Sequence, residues 1–422
     1  MLFRLLALTA LISFSAGAAE LPNLVIPEGV GVNIHFIKDH EQDLTMISQA
    51  GFKFVRMDFA WEAIERKKGE YDWSAYDELT ANLEKRGLRA IYILDYSHAL
   101  YEEKVDSHNA LKTDVAQRDT ASPQHPESIA AYARWAAAAA KHFHGRHIIW
   151  EIWNEPNGFF WKPRPDAEQY TTLALAAAKA IRATEPKATI IGPATSGFDW
   201  PFMETFLKSG VLEYLDAVSV HPYRNPGMPP ESAAADFQKL RGLIEKYAPS
   251  GKRKMPVISG EWGYASNRKG VSLETQAAFI ARQQLANLLE GVPLSIWYDW
   301  KNDGTDPDEN EHNFGTVTPE LEPKPAHTSI FILTHELAGY RLLRRVQPED
   351  KDYLLVFVNG SGGCKMVVWT TGKSHSCSVE MPFKSAQSIG GLDGLGRSYT
   401  PKVEEGRLML HLDAVPKYIT LR

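Results

Sequence analysis

The chain has 422 residues, 44% hydrophobic, 23% charged and 11% aromatic. So apolar a chain buries enough surface to offset its conformational entropy, which excludes the disordered and low-complexity classes. Its 46 basic and 52 acidic residues leave a formal charge of -6 with no dominant run of either sign, so composition carries no electrostatic footprint for nucleic acid.

The length allows two to three domains at ~150 residues each, or one α/β barrel of ~250 residues with an appendage. Met1 to Arg4 form a short n-region with one positive charge. Leu5 to Ser15 are apolar, and Ala16-Gly17-Ala18 offers a small-x-small cleavage pattern. Residues 1–19 therefore read as a signal peptide, and the mature protein is expected to be periplasmic or secreted. The apolar run is shorter than the ~20 residues needed to span a bilayer, and no later segment reaches that length, so no membrane insertion is expected.

Strand-like runs follow at 29–36, 52–59, 89–96, 148–155, 188–194, 217–223, 256–262 and 294–300. Helical stretches lie between and after them at 41–50, 72–87, 126–144, 166–185, 201–209, 231–247, 273–290 and 325–338. In 72–87, Tyr76, Leu79 and Leu83 share one face and Gly87 stops the helix. Such alternation implies a parallel sheet covered by helices, and eight repeats imply closure into a (β/α)8 TIM barrel over 20–339. No Gly-rich phosphate loop follows the first strand, which counts against a dinucleotide-binding sheet.

From about 340 the pattern changes to brief strand-like runs (YLLVFVNG, CKMVVWTT, HSCSVEMPF, RLMLHLD) with Gly, Ser and Asp turns and no helical period. These read as a small all-β, sandwich-like accessory domain over 340–422, to which residues 20–28 would add. Cys364 and Cys377 flank KMVVWTT, and in an oxidising compartment a single disulfide between them is expected.

A barrel carries its reactive groups on the loops leaving the C-terminal strand ends. Strand four ends Trp153-Asn154-Glu155-Pro156-Asn157, and strand seven ends Ser259-Gly260-Glu261-Trp262-Gly263-Tyr264. Two carboxylates thus meet at one rim, the minimum equipment for glycoside cleavage: one protonated carboxyl for the leaving oxygen, one ionised carboxylate on the other face. Glu151 alternates with Trp153 and Glu155 and reads as a buried structural carboxylate. Trp61, Trp153, Trp161, Trp200, Trp262, Trp297 and Trp300 fall at strand ends or in the loops after them. Aromatic faces there suit the C–H face of a sugar, Trp297 and the Phe159-Phe160-Trp161 loop first. The rival is that they pack the barrel mouth. The acidic stretch 303–311 lacks the spacing of a twelve-residue calcium loop and reads as a solvated loop.

The Asn-Glu-Pro after strand four and the Ser-Gly-Glu-Trp-Gly after strand seven resemble the clan of retaining glycoside hydrolases with catalytic glutamates on those two strands. Within it the chain resembles families 39 and 5, through WEAIERKKGEYDWSAYDEL and the NFGTV...PKPA stretch after strand eight. The resemblance implies Glu155 as acid/base and Glu261 as nucleophile. Asn154 would bind the sugar 2-hydroxyl and Arg56 would hold the nucleophile ionised. His221 and Tyr223 would frame the site, with Tyr223 bonded to Glu261. His98, Trp161, Trp262 and Trp297 complete the expected substrate contacts. Arg56 beside Glu261 and aromatic walls beside Glu155 would shift the two carboxyls in opposite directions. The function expected is a secreted retaining hydrolase of a plant or microbial polysaccharide or its oligosaccharides, with no metal or organic cofactor implied. Its rivals are a transglycosylase using the same residues and a silent carbohydrate-binding barrel, which would need a lost carboxylate.

Overall fold

Eight short strands close on themselves: β1 (Val30–Asn33), β2 (Phe54–Ala60), β3 (Arg89–Asp95), β4 (Ile149–Ile152), β5 (Thr189–Ser196), β6 (Ala217–His221), β7 (Val257–Trp262) and β8 (Ser295–Trp297). Each is parallel to its neighbours, and β1 pairs with both β2 and β8. The computed structural model describes residues 21–108, 116–382 and 388–421, so the expected signal peptide lies outside the described residues. Among the described residues, no helix is long and apolar enough to cross a membrane.

Strand alternation sorts the interior into layers. The inward residues at one level, Phe54, Ile91, Ile149, Ile191, Ala217, Ile258, Leu294 and Ile296, form a closed apolar plug. Two residues further along their strands the inward positions become Arg56, Glu151, Ser219 and Gly260. The barrel is therefore a packed core below and a polar chamber above, toward the C-terminal strand ends.

Among the described residues eight longer helices surround it, besides the single turn Trp61–Ile64: α1 (Glu41–Gln49), α2 (Ser74–Glu84), α3 (Pro126–His142), α4 (Ala167–Thr184), α5 (Trp200–Lys208), α6 (Ala234–Tyr247), α7 (Leu273–Leu289) and α8 (Pro325–Glu336). Their starts follow ordinary capping chemistry. The Asp166 side chain accepts from the Glu168 and Gln169 amides, and Ser272 accepts from Thr275, each satisfying donors the helix leaves free. A hairpin of strands Lys104–His108 and Ala116–Thr120 is inserted between β3 and α3, an element the periodicity of the sequence does not announce.

α7 is buried on nearly every side, from Gln276 through Leu288, because a second domain covers its outer face. That domain contains a six-stranded antiparallel sheet and a three-stranded one. The larger includes β9 (Arg341–Val346), β10 (Asp352–Val358) and β11 (Cys364–Thr370), and the smaller is centred on Arg407–Leu412 with β12 (His375–Glu380) beside it. Alternation gives the larger sheet two faces. Leu355, Phe357, Val367 and Trp369 join the core shared with the barrel. Leu354, Val356, Met366 and Val368 pack against the three-stranded sheet. Arg282 on α7 grips both oxygens of Glu231 at 2.8 Å, and the Trp369 indole donates to the same carboxylate at 2.6 Å. Val25 bridges Arg341, so the start of the described chain is tied to the first strand of this domain.

The expected disulfide does not form: Cys364 and Cys377 are both free thiols. Cys364 opens β11, while Cys377 is the third residue of β12. At ~3.3 Å per residue β11 carries the chain about 20 Å from Cys364, and β12 returns only about 7 Å of that before Cys377. Bridging needs Cα atoms closer than ~7 Å.

Candidate active site

Arg56, inward on β2 and 1% exposed, organises the upper chamber. All five of its N–H donors are used. Nε meets Glu151 at 2.6 Å, Nη1 meets Glu261 at 2.6 Å and Asn33 at 3.2 Å, and Nη2 meets Asn154 at 2.7 Å and His221 Nε2 at 3.2 Å. Residues from β1, β2, β4, β6 and β7 are thereby locked onto one planar fork. Glu151 is fully buried, where alternation along β4 puts it.

The contact with Arg56 also sets the His221 tautomer. A guanidinium only donates, so Nε2 of His221 must accept, and the ring proton sits on Nδ1. Nδ1 then donates to Glu155 Oε1 at 2.9 Å. Glu261 receives Arg56 on Oε2 and the Tyr223 hydroxyl on Oε1 at 2.8 Å. An oxygen from each glutamate and a ring nitrogen of His221 all lie within 4.8 Å of one another. One carboxylate is thus paired with a cation and the other with a neutral donor, an asymmetry that suits nucleophile and acid/base respectively.

The backbone leaving β4 is unusual. Trp153 and Glu155 have φ of +68° and +45°, left-handed values that side chains rarely adopt. Each costs ~1–3 kcal/mol and persists only where surroundings enforce it. Here the Glu155 amide donates to the Ala194 carbonyl at 3.0 Å. At β7, a Cβ on Gly260 would come within 3.1 Å of Glu151 Oε1 and 3.4 Å of the His221 ring, so any larger residue there would have to push these two side chains aside.

A family model described as Cellulase (glycosyl hydrolase family 5) matches residues 26–304, the barrel that carries this geometry. The chain belongs to that family. This glycoside hydrolase is also 28% identical over 225 residues to a β-xylosidase of Caldicellulosiruptor saccharolyticus. That match covers 49% of the chain and 44% of the relative, so the chain spans under half the length of that protein. A family 39 glycoside hydrolase from the gut symbiont Bacteroides cellulosilyticus superposes with a TM-score of 0.79 at 25% identity, covering 95% of this chain and 83% of that one. A family 39 β-xylosidase from Caulobacter crescentus shares the fold, with a TM-score of 0.68 at 18% identity over 96% of this chain and 98% of that one.

Of the residues expected from sequence in this glycoside hydrolase, Arg56, Asn154, Glu155, His221, Tyr223 and Glu261 converge. Four do not. His98 donates from Nε2 to the Glu65 carbonyl and accepts the Leu100 amide on Nδ1, so its ring is committed to backbone and buried against Trp61. Trp161 is fully buried between Trp153 and Tyr170, and Trp262 is fully buried beside Tyr264. Trp297 is fully buried too, its indole donating to the Phe314 carbonyl. The reason is parity: Ile296 faces the barrel interior, so Trp297 faces the helices. Apart from the half-buried Trp200, the tryptophans of the mouth are core.

Parity also brings further groups to the chamber. Tyr298, two residues beyond inward Ile296, is partly exposed and donates to Glu311 at 2.8 Å. Burial raises the Glu311 carboxyl above its ordinary range, with Glu261 adding to the effect. The acidic loop is exposed over most of its length, as expected, and sends Glu311 back toward the catalytic pair. Asn33 reaches Arg56 from β1. Beside it a cavity of about 270 Å³ is lined by His35, Asp299, Lys301 and Asp303. Burial raises the Asp299 carboxyl to about 7, while Asp299 outweighs burial at His35 and lifts its imidazole to about 9. Asp95, inward on β3, is fully buried with no hydrogen-bond donor, and burial holds its carboxyl well above the usual range.

Proposed function

We propose that this chain is a secreted or periplasmic retaining glycosidase that cleaves β-linked sugars of plant or microbial polysaccharides or their oligomers, xylosides first among them. The observation that carries the reading is the approach of the two carboxylates, with oxygens within 4.8 Å. Retaining enzymes hold their carboxyl groups ~5–5.5 Å apart, whereas inverting ones need ~6.5–9.5 Å to admit a water between acid and base. The named relatives that act on xylosides support the sugar class. The apolar N-terminal stretch ending in Ala16-Gly17-Ala18 supports export.

In the first step Glu261 attacks the anomeric carbon while Glu155 protonates the departing oxygen, leaving a covalent glycosyl ester. In the second, Glu155 takes a proton from water, which attacks the same carbon and restores the original configuration. Arg56 and Tyr223 aim the two Glu261 oxygens. Asn154, its carbonyl oxygen turned to Arg56, presents its amide nitrogen to Tyr96 and to a sugar hydroxyl.

The test follows the anomer released first from an aryl β-glycoside by proton NMR. The β anomer is expected before mutarotation, and Glu261→Ala should abolish turnover and, with azide, yield the α-glycosyl azide. An α anomer from the parent enzyme, or full activity in Glu261→Ala, would overturn the assignment.

A further inference from the structure

The C-terminal sandwich contains a cluster that the hydrolytic chemistry does not use. Glu349 lies in the turn before β10, Asp352 opens β10, and His375 opens β12 in the other sheet. One ligand atom from each lies within 4.8 Å of the other two. Asp352 is fully buried, yet neither of its carboxylate oxygens makes a hydrogen bond of good geometry, and its nearest polar partner is His375 Nε2, 3.3 Å from Oδ2.

The histidine's orientation is informative. Nδ1 lies 3.1 Å from the Lys373 carbonyl, which can only accept, so Nδ1 carries the ring proton. With Nε2 unprotonated its lone pair points at Asp352 Oδ2, 3.3 Å away, and without a cation the backbone carbonyl of Lys373 and the two carboxylates favour the protonated, ion-paired ring. A backbone carbonyl holding one imidazole N–H while the other nitrogen faces carboxylates is the outer-shell arrangement of metal-binding histidines. Protonating Nε2 would set one positive charge against two carboxylates. A divalent cation neutralises both and takes up all three lone pairs.

We propose that Glu349, Asp352 and His375 form a binding site for a divalent transition-metal ion, Zn2+ by preference, that clips the two sheets of the C-terminal domain together. One imidazole nitrogen with two carboxylates suits zinc better than the all-oxygen cages of calcium or magnesium. Two ligands ~2.0–2.1 Å from a tetrahedral ion stand about 3.3 Å apart, the spacing already present between Nε2 and Oδ2. The ion would do for the two sheets what the disulfide expected from the sequence does not.

The experiment uses the full chain stripped with EDTA, titrated with ZnCl2 by calorimetry and followed by thermal unfolding. Wild type should bind one equivalent at this site, and Tm should rise by about 3 °C at a hundredfold excess over Kd. His375→Ala should lose that equivalent and the shift while keeping kcat/KM within twofold. Asp352→Asn should also lose the shift, yet the metal-free variant should melt above metal-free wild type, because a buried unpaired charge has been removed. If zinc shifts nothing and both metal-free variants melt below wild type, the cluster is a plain ion pair and the proposal fails. It fails equally if binding is undiminished in His375→Ala and tracks loss of activity, which would put the ion on Glu155 and Glu261.

Discussion

Replacing Arg56 with lysine tests the organisation of the catalytic chamber without removing its charge. The guanidinium reaches Glu151, Glu261, Asn33, Asn154 and His221 at once, all at 2.6–3.2 Å. An ammonium offers three donors from a single atom and cannot reproduce a planar fork. At least two of the charge-assisted bonds must go, and each is worth ~1.5–3 kcal/mol, so the buried site should be destabilised by about 3–6 kcal/mol. At ~1.36 kcal/mol per decade, a loss of that size felt in the transition state lowers kcat/KM by about 10²- to 10⁴-fold. Urea unfolding of Arg56→Lys alongside initial rates on an aryl β-glycoside reads both numbers. A variant within ~1 kcal/mol of wild type and within threefold in kcat/KM would refute the claim that the fork holds the site together.

Three further outcomes follow from the geometry. Gly260→Ala introduces a Cβ 3.1 Å from Glu151 and 3.4 Å from His221, so it should cost ~1–3 kcal/mol by denaturant unfolding and lower kcat more than it raises KM. Trp161→Ala should cost ~3–5 kcal/mol as a core truncation while the folded enzyme keeps its KM, whereas Tyr298→Phe should leave stability nearly unchanged and shift KM; the reverse pattern would return Trp161 to the substrate. The Asp299–His35 pair should make stability depend on pH. Asp299 titrates near 7 instead of 3.8, and His35 near 9 instead of 6.5, so over both intervals the folded state holds a proton that the unfolded state has released. Stability should therefore fall as pH rises from about 4 to about 9, and Asp299→Asn, which also removes the His35 partner, should flatten that slope. An unchanged slope in the variant would refute the coupling.

How much of the site was legible depended on whether a residue's role lies in its motif or in its parity. Glu155 and Glu261 announce themselves because each sits in a short motif at a strand end, and strand ends can be counted. Arg56, Asn154, His221 and Tyr223 came with the resemblance to families 39 and 5, which implies their roles residue by residue. The tryptophans misled because a strand end supports two opposite directions. Trp297 and Tyr298 are adjacent in sequence yet face the helices and the chamber respectively, and only the inward Ile296 decides between them. His98 looked equally suitable until its two ring nitrogens proved to be taken by the Glu65 carbonyl and the Leu100 amide.

By itself, the sequence determined the repeat of strand and helix, the closure that eight repeats require, the change of character near 340 and the pair of carboxylates. All of these rest on local period and local chemistry, which a linear chain displays. Tertiary structure alone decided what lies across space. It joined Arg56 to four other strands, set the His221 proton on Nδ1, and buried the tryptophans of the mouth other than Trp200. It also kept Cys364 and Cys377 apart while bringing His375 to Asp352. Contacts between strands distant in sequence depend on register and on the direction of each side chain, and a one-residue step reverses that direction.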